Sequence, residues 1–255
     1  MWTRLEPLLA HLAVHAAEWW IAEDPSSHEP IGYARSVEPD GLFELSEFFV
    51  HPDRQSVGVG AALLEKAFPL GRGDVRAIIA TTDVRAQARY YRAGTVARFP
   101  IASLQGAPRA IEAEPGIEAA SVGPGDLPTL VEIDAAVLEF DRGAEFAWLI
   151  EHREGYIYRR SGAPIGFAFV SVSGSGPIAS LVPEDQVSLL DHIETRAAEL
   201  GIETLSYEVP MVNEVAMRHL LARGFRIDPF LTVLMASRPF GSFDRYIGFS
   251  PPFVL

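Results

Sequence analysis

The chain has no cysteine, which excludes a disulfide framework, a thiolate zinc site and a cysteine nucleophile. That absence fits the reducing cytoplasm. Long apolar runs are missing too. Stretches such as Leu8–Ala17 are broken by His11 and His15 and fall short of the roughly 20 residues that a membrane helix needs. No charged segment precedes an apolar core in the manner of a signal peptide. Nor is there a block of Lys or Arg: 21 of these stand against 34 Asp and Glu, and the formal charge of −13 is spread along the chain. Such a field repels phosphate backbones and anionic bilayers, so no nucleic acid and no membrane is expected as a partner. His11 and His15 are four apart, but they lack a third ligand, and no metal is expected.

What is present describes a globular protein. Of 255 residues, 48% are apolar and 22% charged, with 21 Gly and 19 Pro. This length accommodates two domains of about 100 to 150 residues, and an internal repeat points to that arrangement. Pro30-Ile31-Gly32-Tyr33-Ala34 recurs as Pro164-Ile165-Gly166-Phe167-Ala168, each after a short apolar stretch and a polar turn, which predicts two β-hairpins. Further on, Asp83-x-x-Ala86-x-x-x-Tyr90-x-x-x-Gly94 recurs as Asn213-x-x-Ala216-x-x-x-Leu220-x-x-x-Gly224. Both carry small or apolar residues at helical spacing and end on a C-cap glycine.

The turn-rich stretch between the repeats places a boundary near residue 110, giving domains 1–110 and 111–255. The second is expected to open with a strand over residues 117–122 and a helix over 126–137. The first opens directly on a helix over 5–17, without that strand. Each half then runs through a hairpin, a third strand, a helix, a strand, a second helix and closing strands. This order predicts an α/β (α+β) fold with mixed sheets flanked by helices. Phe240–Leu255 reads as an extended tail packed on a domain or a partner.

The segment from Leu45 to Leu64 carries the chemistry. A strand ending at Val50 turns into a helix expected to begin at Gln55, and Gly58 and Gly60 leave the backbone at its start unobstructed. Several N–H groups there would converge on one anion, with the helix dipole adding favourable charge, as suits a diphosphate. The spacing fits neither a Walker loop nor a dinucleotide fingerprint. Gln55-x-x-Gly58-x-Gly60, preceded by Val50-x-Pro52, resembles the cofactor motif of the GNAT N-acetyltransferase superfamily. Asp83 to Gly94 resembles its second motif, Asn-x-x-Ala-x-x-x-Tyr-x-x-x-Gly.

The resemblance implies two tandem GNAT-like folds and acetyl-CoA as cofactor. It places the diphosphate on Gln55, Ser56, Val57, Gly58, Val59, Gly60 and Ala61, and the pantetheine and thioester beside Phe49, Val50, Thr81, Asp83, Ala86 and Tyr90. It makes Tyr90 the acid toward the departing CoA thiolate, which a phenol can serve at neutral pH. Asp83 departs from the usual Asn, because an ionised carboxylate accepts hydrogen bonds and does not donate them.

An acceptor amine must be neutral to attack, so a base is wanted near the cleft. Glu44 and Glu47 are the candidates. A spacing of three puts them on opposite faces of a regular strand unless a bulge intervenes, and each is as readily a solvated carboxylate. Trp19, Trp20 and Tyr33 belong more naturally to the core than to an acceptor pocket. His51 lies beside the cofactor turn.

In the second repeat the phosphate segment reads Val182-Pro183-Glu184-Asp185-Gln186, with both glycines gone and acidic residues where an anion would sit. The tyrosine position is Leu220. The fold is retained there and the chemistry lost. The function expected is acyl transfer, from acetyl-CoA to a primary amine of a small molecule or peptide, by direct attack in a monomer or homodimer. The competing reading is a non-catalytic acyl-CoA-binding or regulatory protein.

Overall fold

Each Pro-Ile-Gly motif lies near the start of the second strand of an antiparallel hairpin, and a common order of elements follows both. In the computed structural model, residues 2–55, 58–172, 174–250, 252, 254 and 255 are described, residues 2–4 by their backbone alone. Helix α1 (Trp2–Val14) leads into β1 (Ala16–Glu23), β2 (Pro30–Val37), β3 (Leu42–Val50), α2 (Val59–Ala67), β4 (Val75–Thr81), α3 (Val84–Arg92) and β5 (Val96–Gly106). The second half opens with β6 (Ile117–Ser121), α4 (Leu127–Leu138) and α5 (Gly143–His152). It then repeats the order with β7 (Glu154–Arg160), β8 (Ala163–Ser171), β9 (Gly174–Ser180), α6 (Gln186–Glu199), β10 (Leu205–Pro210), α7 (Glu214–Ala222) and β11 (Arg226–Ala236), and closes on β12 (Tyr246–Ile247). The fold is the mixed α/β arrangement expected. No strand precedes α1 among the described residues. No helix among them is long and apolar enough to cross a membrane.

The chain divides into two compact units. One comprises Met1–Arg98, Val233–Pro239 and Val254; the other comprises Phe99–Thr232, Phe240–Phe253 and Leu255. The passage between them falls inside β5, upstream of the turn-rich segment near residue 110, and the end of β11 belongs to the first unit. A single cut therefore does not describe them, because each half contributes a closing strand to the other's unit.

In the first unit the strand order is β1-β2-β3-β4-β11. Alternation along the strands sends Ala34, Phe43, Leu45, Ile78 and Ala80 to one face, where they pack with Leu63, Leu64, Ala67 and Phe68 of α2 and its C-cap and with Tyr90 of α3. Helix α1 buries Leu8 and Leu12, one turn apart. It ends at Val14, earlier than expected, because Ala16 already pairs with Val37 and the aromatic run that follows favours a strand.

In the second unit, β12-β9-β8-β7-β6 form an antiparallel sheet, and the Phe99–Gly106 portion of β5 pairs antiparallel with β10. Tyr158, Leu189, Ile193, Tyr207 and Leu220 fill its core. Leu220, the counterpart of Tyr90, is fully apolar packing there.

A buried ion pair pins the second unit. Arg142 donates from Nε and Nη2 to the two carboxylate oxygens of Asp134 at 2.8 Å, from Nη2 to the Tyr246 hydroxyl at 3.0 Å, and from Nη1 to the main-chain oxygen of Leu255. Neither side chain of the pair is more than 4% exposed. Removing one buried partner leaves the other charge uncompensated, whereas removing both is close to neutral. Arg142→Met should therefore lower unfolding stability by about 3 to 5 kcal/mol in urea titration, and the double variant Asp134→Leu/Arg142→Met should recover most of it.

Candidate functional site

The site begins with a sheet that comes apart. β3 and β4 run parallel and pair only at Leu42↔Val75, Phe43↔Arg76 and Glu44↔Ala77. Beyond Glu44 and Ala77 the strands part, so the facing edges of residues 45–50 and 78–81 have no ladder partner in each other. Polar backbone groups in such a gap require another partner.

A bulge sits just past the parting point. On the β2 side the register moves from Arg35↔Glu47 to Ser36↔Leu45, which makes Ser46 the extra residue of β3. Its consequence is visible in the packing. Phe43 and Leu45 face the α2 core, and after the bulge Phe48 and Val50 do. Glu44 and Glu47, three apart, therefore share the opposite face rather than lying on opposite sides. Both are buried, at 3% and 4% exposure.

Glu47 is held tightly. Arg35 donates to its Oε2, and Tyr33 donates to Oε1 at 3.0 Å. Burial, with the neighbouring Glu47 charge, pushes the Tyr33 phenol up to about 12, so Tyr33 keeps its proton and remains the donor. Arg35 also donates to the Leu9 carbonyl of α1 and lies over the Trp19 ring at 5.1 Å. Sequence reasoning missed Arg35, although its alternation with Tyr33 on β2 marks one strand face.

These residues border a cavity of about 810 Å³ lined by α1, β1, β2 and β3 and by His51. Its size falls within the roughly 300 to 1,000 Å³ of small-molecule sites. Trp19 and Tyr33 line it, and Trp19 is 51% exposed. These two are thus not core residues, as their sequence context had suggested. Trp20 is elsewhere, stacked under the Lys66 ammonium at 4.3 Å. Phe49 faces the cavity beside Tyr33, with ring centroids 5.3 Å apart.

The phosphate segment lies at the far end of β3. Pro52–Arg54 form a 3-10 turn, Gln55 follows in extended conformation, and its Nε2 donates to the Val50 carbonyl at 3.4 Å. Ser56 and Val57 lie outside the described residues. The helix starts at Val59, later than Gln55, because Gly58 is the N-cap with φ of 97° and cannot continue a right-handed turn. A Cβ on Gly58 would meet nothing within 4 Å, so a side chain there would project into the space in front of the helix. The carbonyl of Gly58 accepts from Ala61 and Ala62. The N–H groups of the first helical positions precede the intrahelical ladder and are available to an anion.

Gly60 makes room for a neighbouring side chain. A Cβ there would lie 2.8 Å from Nη1 of Arg89 and 3.3 Å from the Phe48 ring. The guanidinium of Arg89 thus lies against the first turn of α2, adding charge to the helix terminus. Arg85, Arg89 and Arg92 follow helical spacing on α3. That pattern was the available signal for Arg89, which sequence reasoning also missed.

Helix α3 packs Tyr90 into the core beside the parted stretch of β3. Its ring packs edge-on to Phe48 of the parted stretch of β3, centroids 6.2 Å apart, and burial pushes its phenol up to about 12. Ala86 is half-buried one turn earlier, and Thr81 is exposed at the end of β4. Asp83 serves the helix instead: it caps α3 by accepting from Arg85 N and pairs with the Arg85 guanidinium at 2.8 Å. Those bonds lower its carboxyl to about 2. The structure thus brings Glu44, Glu47, Phe49, Val50 and Tyr90 around the parting strands, with Gly58, Val59, Gly60 and Ala61 at one end and Asp83 turned to its helix.

The second unit meets the same demand differently. Between β9 and β10 lies the chain's own tail: β12 pairs with Ile178 and Ala179 of β9, Gly248 N donates to the Glu208 carbonyl of β10, and Ser250 N donates to the Ser175 carbonyl. The tail is therefore an inserted strand, more than a loose extension. Asp185 at the start of α6 is paired with Arg160 at 2.6 Å. Asn213 donates to Gln186 and to the Tyr246 carbonyl. This cleft is filled.

Residues 15–94 match the acetyltransferase (GNAT) domain family. No curated protein matches the sequence. Among solved structures, a Pyrococcus horikoshii protein shares 16% identity at a TM-score of 0.73, over 95% of this chain and 80% of that one. A GCN5-related N-acetyltransferase from Sphaerobacter thermophilus shares 15% at 0.60, over 89% and 83%. A tandem GNAT protein from the clavulanic acid biosynthesis pathway shares 14% at 0.58, over 88% and 84%. The chain therefore carries an acetyltransferase (GNAT) domain at residues 15–94, within a fold that it shares with the GNAT superfamily.

Proposed function

We propose that this protein transfers an acetyl group from acetyl-CoA to a primary amine by direct attack, with the working site in the first unit. The observation that carries the reading is the gap between β3 and β4, with an open helix N-terminus at one end and a buried tyrosine against its wall. The cofactor supplies a thioester carbonyl open to a nucleophile. The backbone of Gly58 to Ala61 and the Arg89 guanidinium hold its diphosphate, and the unpaired edges of β3 and β4 hydrogen-bond its pantetheine. Backbone N–H groups after the Ser46 bulge polarise the carbonyl, a role that depends on geometry rather than on a particular side chain.

Tyr90 donates its hydroxyl hydrogen to the departing sulfur. With a phenol near 12 and a thiol near 8.5, Tyr90 holds its proton across the physiological range and acts as a hydrogen-bond donor that is restored as the amine loses its own proton. Glu47, with both oxygens engaged, orients Arg35 and Tyr33. Glu44, at the last paired position of β3, is the remaining carboxylate on that face.

Because the chain contains no cysteine, a thiol reagent in the assay reads released CoA alone. Acetyl-CoA with a suitable amine should give amine-dependent thiol release. Tyr90→Phe should lower kcat by about 10²- to 10⁴-fold with little change in acetyl-CoA affinity. The parent's kcat should rise with pH as the amine deprotonates and show no fall below pH of about 10, since Tyr90 stays protonated there. Thiol release that ignores the amine, or an unimpaired Tyr90→Phe, contradicts the proposal. Removing the cation in front of α2 costs a charge-assisted hydrogen bond, so Arg89→Ala should raise the acetyl-CoA Kd about tenfold or more without a matching loss of kcat.

A further inference from the structure

The acetyl-transfer reading leaves the amine open, and the cavity beside the bulge narrows it; the inference that follows rests on that reading. At the bulge end lies the Arg35–Glu47–Tyr33 cluster, with Trp19 paired opposite Arg35 and Phe49 opposite Tyr33, and toward the β1–β2 turn the walls are Ile21 and Ile31. Trp19, Ile21 and Phe49 are 51%, 55% and 52% exposed, an unusual outlay of large apolar surface around one recess. The charges at the polar end compensate each other. Glu47 accepts from Arg35 and Tyr33, and Arg35 spends its donors on Glu47 and Leu9. A polyamine brings several ammonium groups that need several carboxylates, and an aminosugar a ring of hydroxyls that need polar partners; beside Glu47 this cavity offers Glu6 on its α1 wall. Aromatic faces and one uncompensated carboxylate suit a single ammonium on an apolar body.

We propose that the acceptor is an amphipathic monoamine: one primary amino group on an aryl or alkyl body, seated along Trp19, Ile21, Ile31 and Phe49 with its nitrogen toward the bulge. Discrimination then comes from apolar contact. Loss of one such contact changes affinity by about tenfold or more, and among amines the apolar body sets selectivity, while the single ammonium separates an amine from an uncharged analogue.

The test is calorimetric binding to the full chain without acetyl-CoA, using 2-phenylethylamine and hexylamine against spermidine, lysine and the uncharged 2-phenylethanol. The two monoamines should bind at least tenfold more tightly than the other three. Trp19→Ala and Ile21→Ser, both at half-exposed positions, should each weaken 2-phenylethylamine binding about tenfold while the thermal midpoint stays within a few degrees of the parent. Equal binding of spermidine, lysine or the alcohol overturns the proposal, as does indifference to both substitutions. If the monoamines bind as stated and no acetyl transfer follows, the transfer reading fails and the acceptor class stands. If hydrophilic amines are acetylated and neither substitution changes their rates, the acceptor class fails and the transfer reading stands.

Discussion

Two parallel neighbours in a sheet that stop pairing after three residues leave backbone donors and acceptors that must find partners, and this constraint organises the molecule. β3 and β4 part after Glu44 and Ala77, and a sheet interior tolerates such a gap when something else supplies the hydrogen bonds. In the second unit that partner is covalently attached: residues 246–250 run beside β9 and reach β10 through Gly248. In the first unit the gap adjoins the glycine-capped start of α2. One structural demand is thus met by a tail in one repeat and left open beside a helix N-terminus in the other.

The differences between the repeats follow from that division. Gly58 leaves the space before α2 open, whereas Asp185 at the corresponding helix is neutralised by Arg160, so one helix terminus remains available to an anion and the other is occupied by the protein's own charge. Tyr90 packs its ring on Phe48 of the parted strand, while Leu220 packs in an apolar core. Arg142 and Asp134 hold the filled cleft by tying Tyr246 and Leu255 to α4. The second repeat keeps the fold with the corresponding edge closed by an internal contact.

Much of this was legible in local pattern. Both hairpins followed from Pro-Ile-Gly and its flanks, and Gly58, Gly60 and Tyr90 were singled out by resemblance to family motifs. The helix start was not, because it is set by the extended backbone of Gln55 and the left-handed backbone of Gly58, which the glycine spacing does not specify. The bulge at Ser46 was open as a possibility, but its position depends on cross-strand register, which the residues of β3 do not encode by themselves. Arg35 and Arg89 matter through residues distant in sequence, Glu47 and Gly60. The exchange of closing strands and the insertion of the tail are long-range pairings, and no periodicity within the segments specifies their partners.

The central claim is that the first unit holds acetyl-CoA and the second, filled by its own tail, does not. Titration calorimetry of the chain with acetyl-CoA, alongside Gly58→Glu, tests it most directly. The account predicts one site per chain, and a loss of affinity of at least about tenfold when a negative side chain enters the space before α2. Two sites per chain, no saturable binding, or a Gly58→Glu protein that binds as tightly as the parent would contradict it.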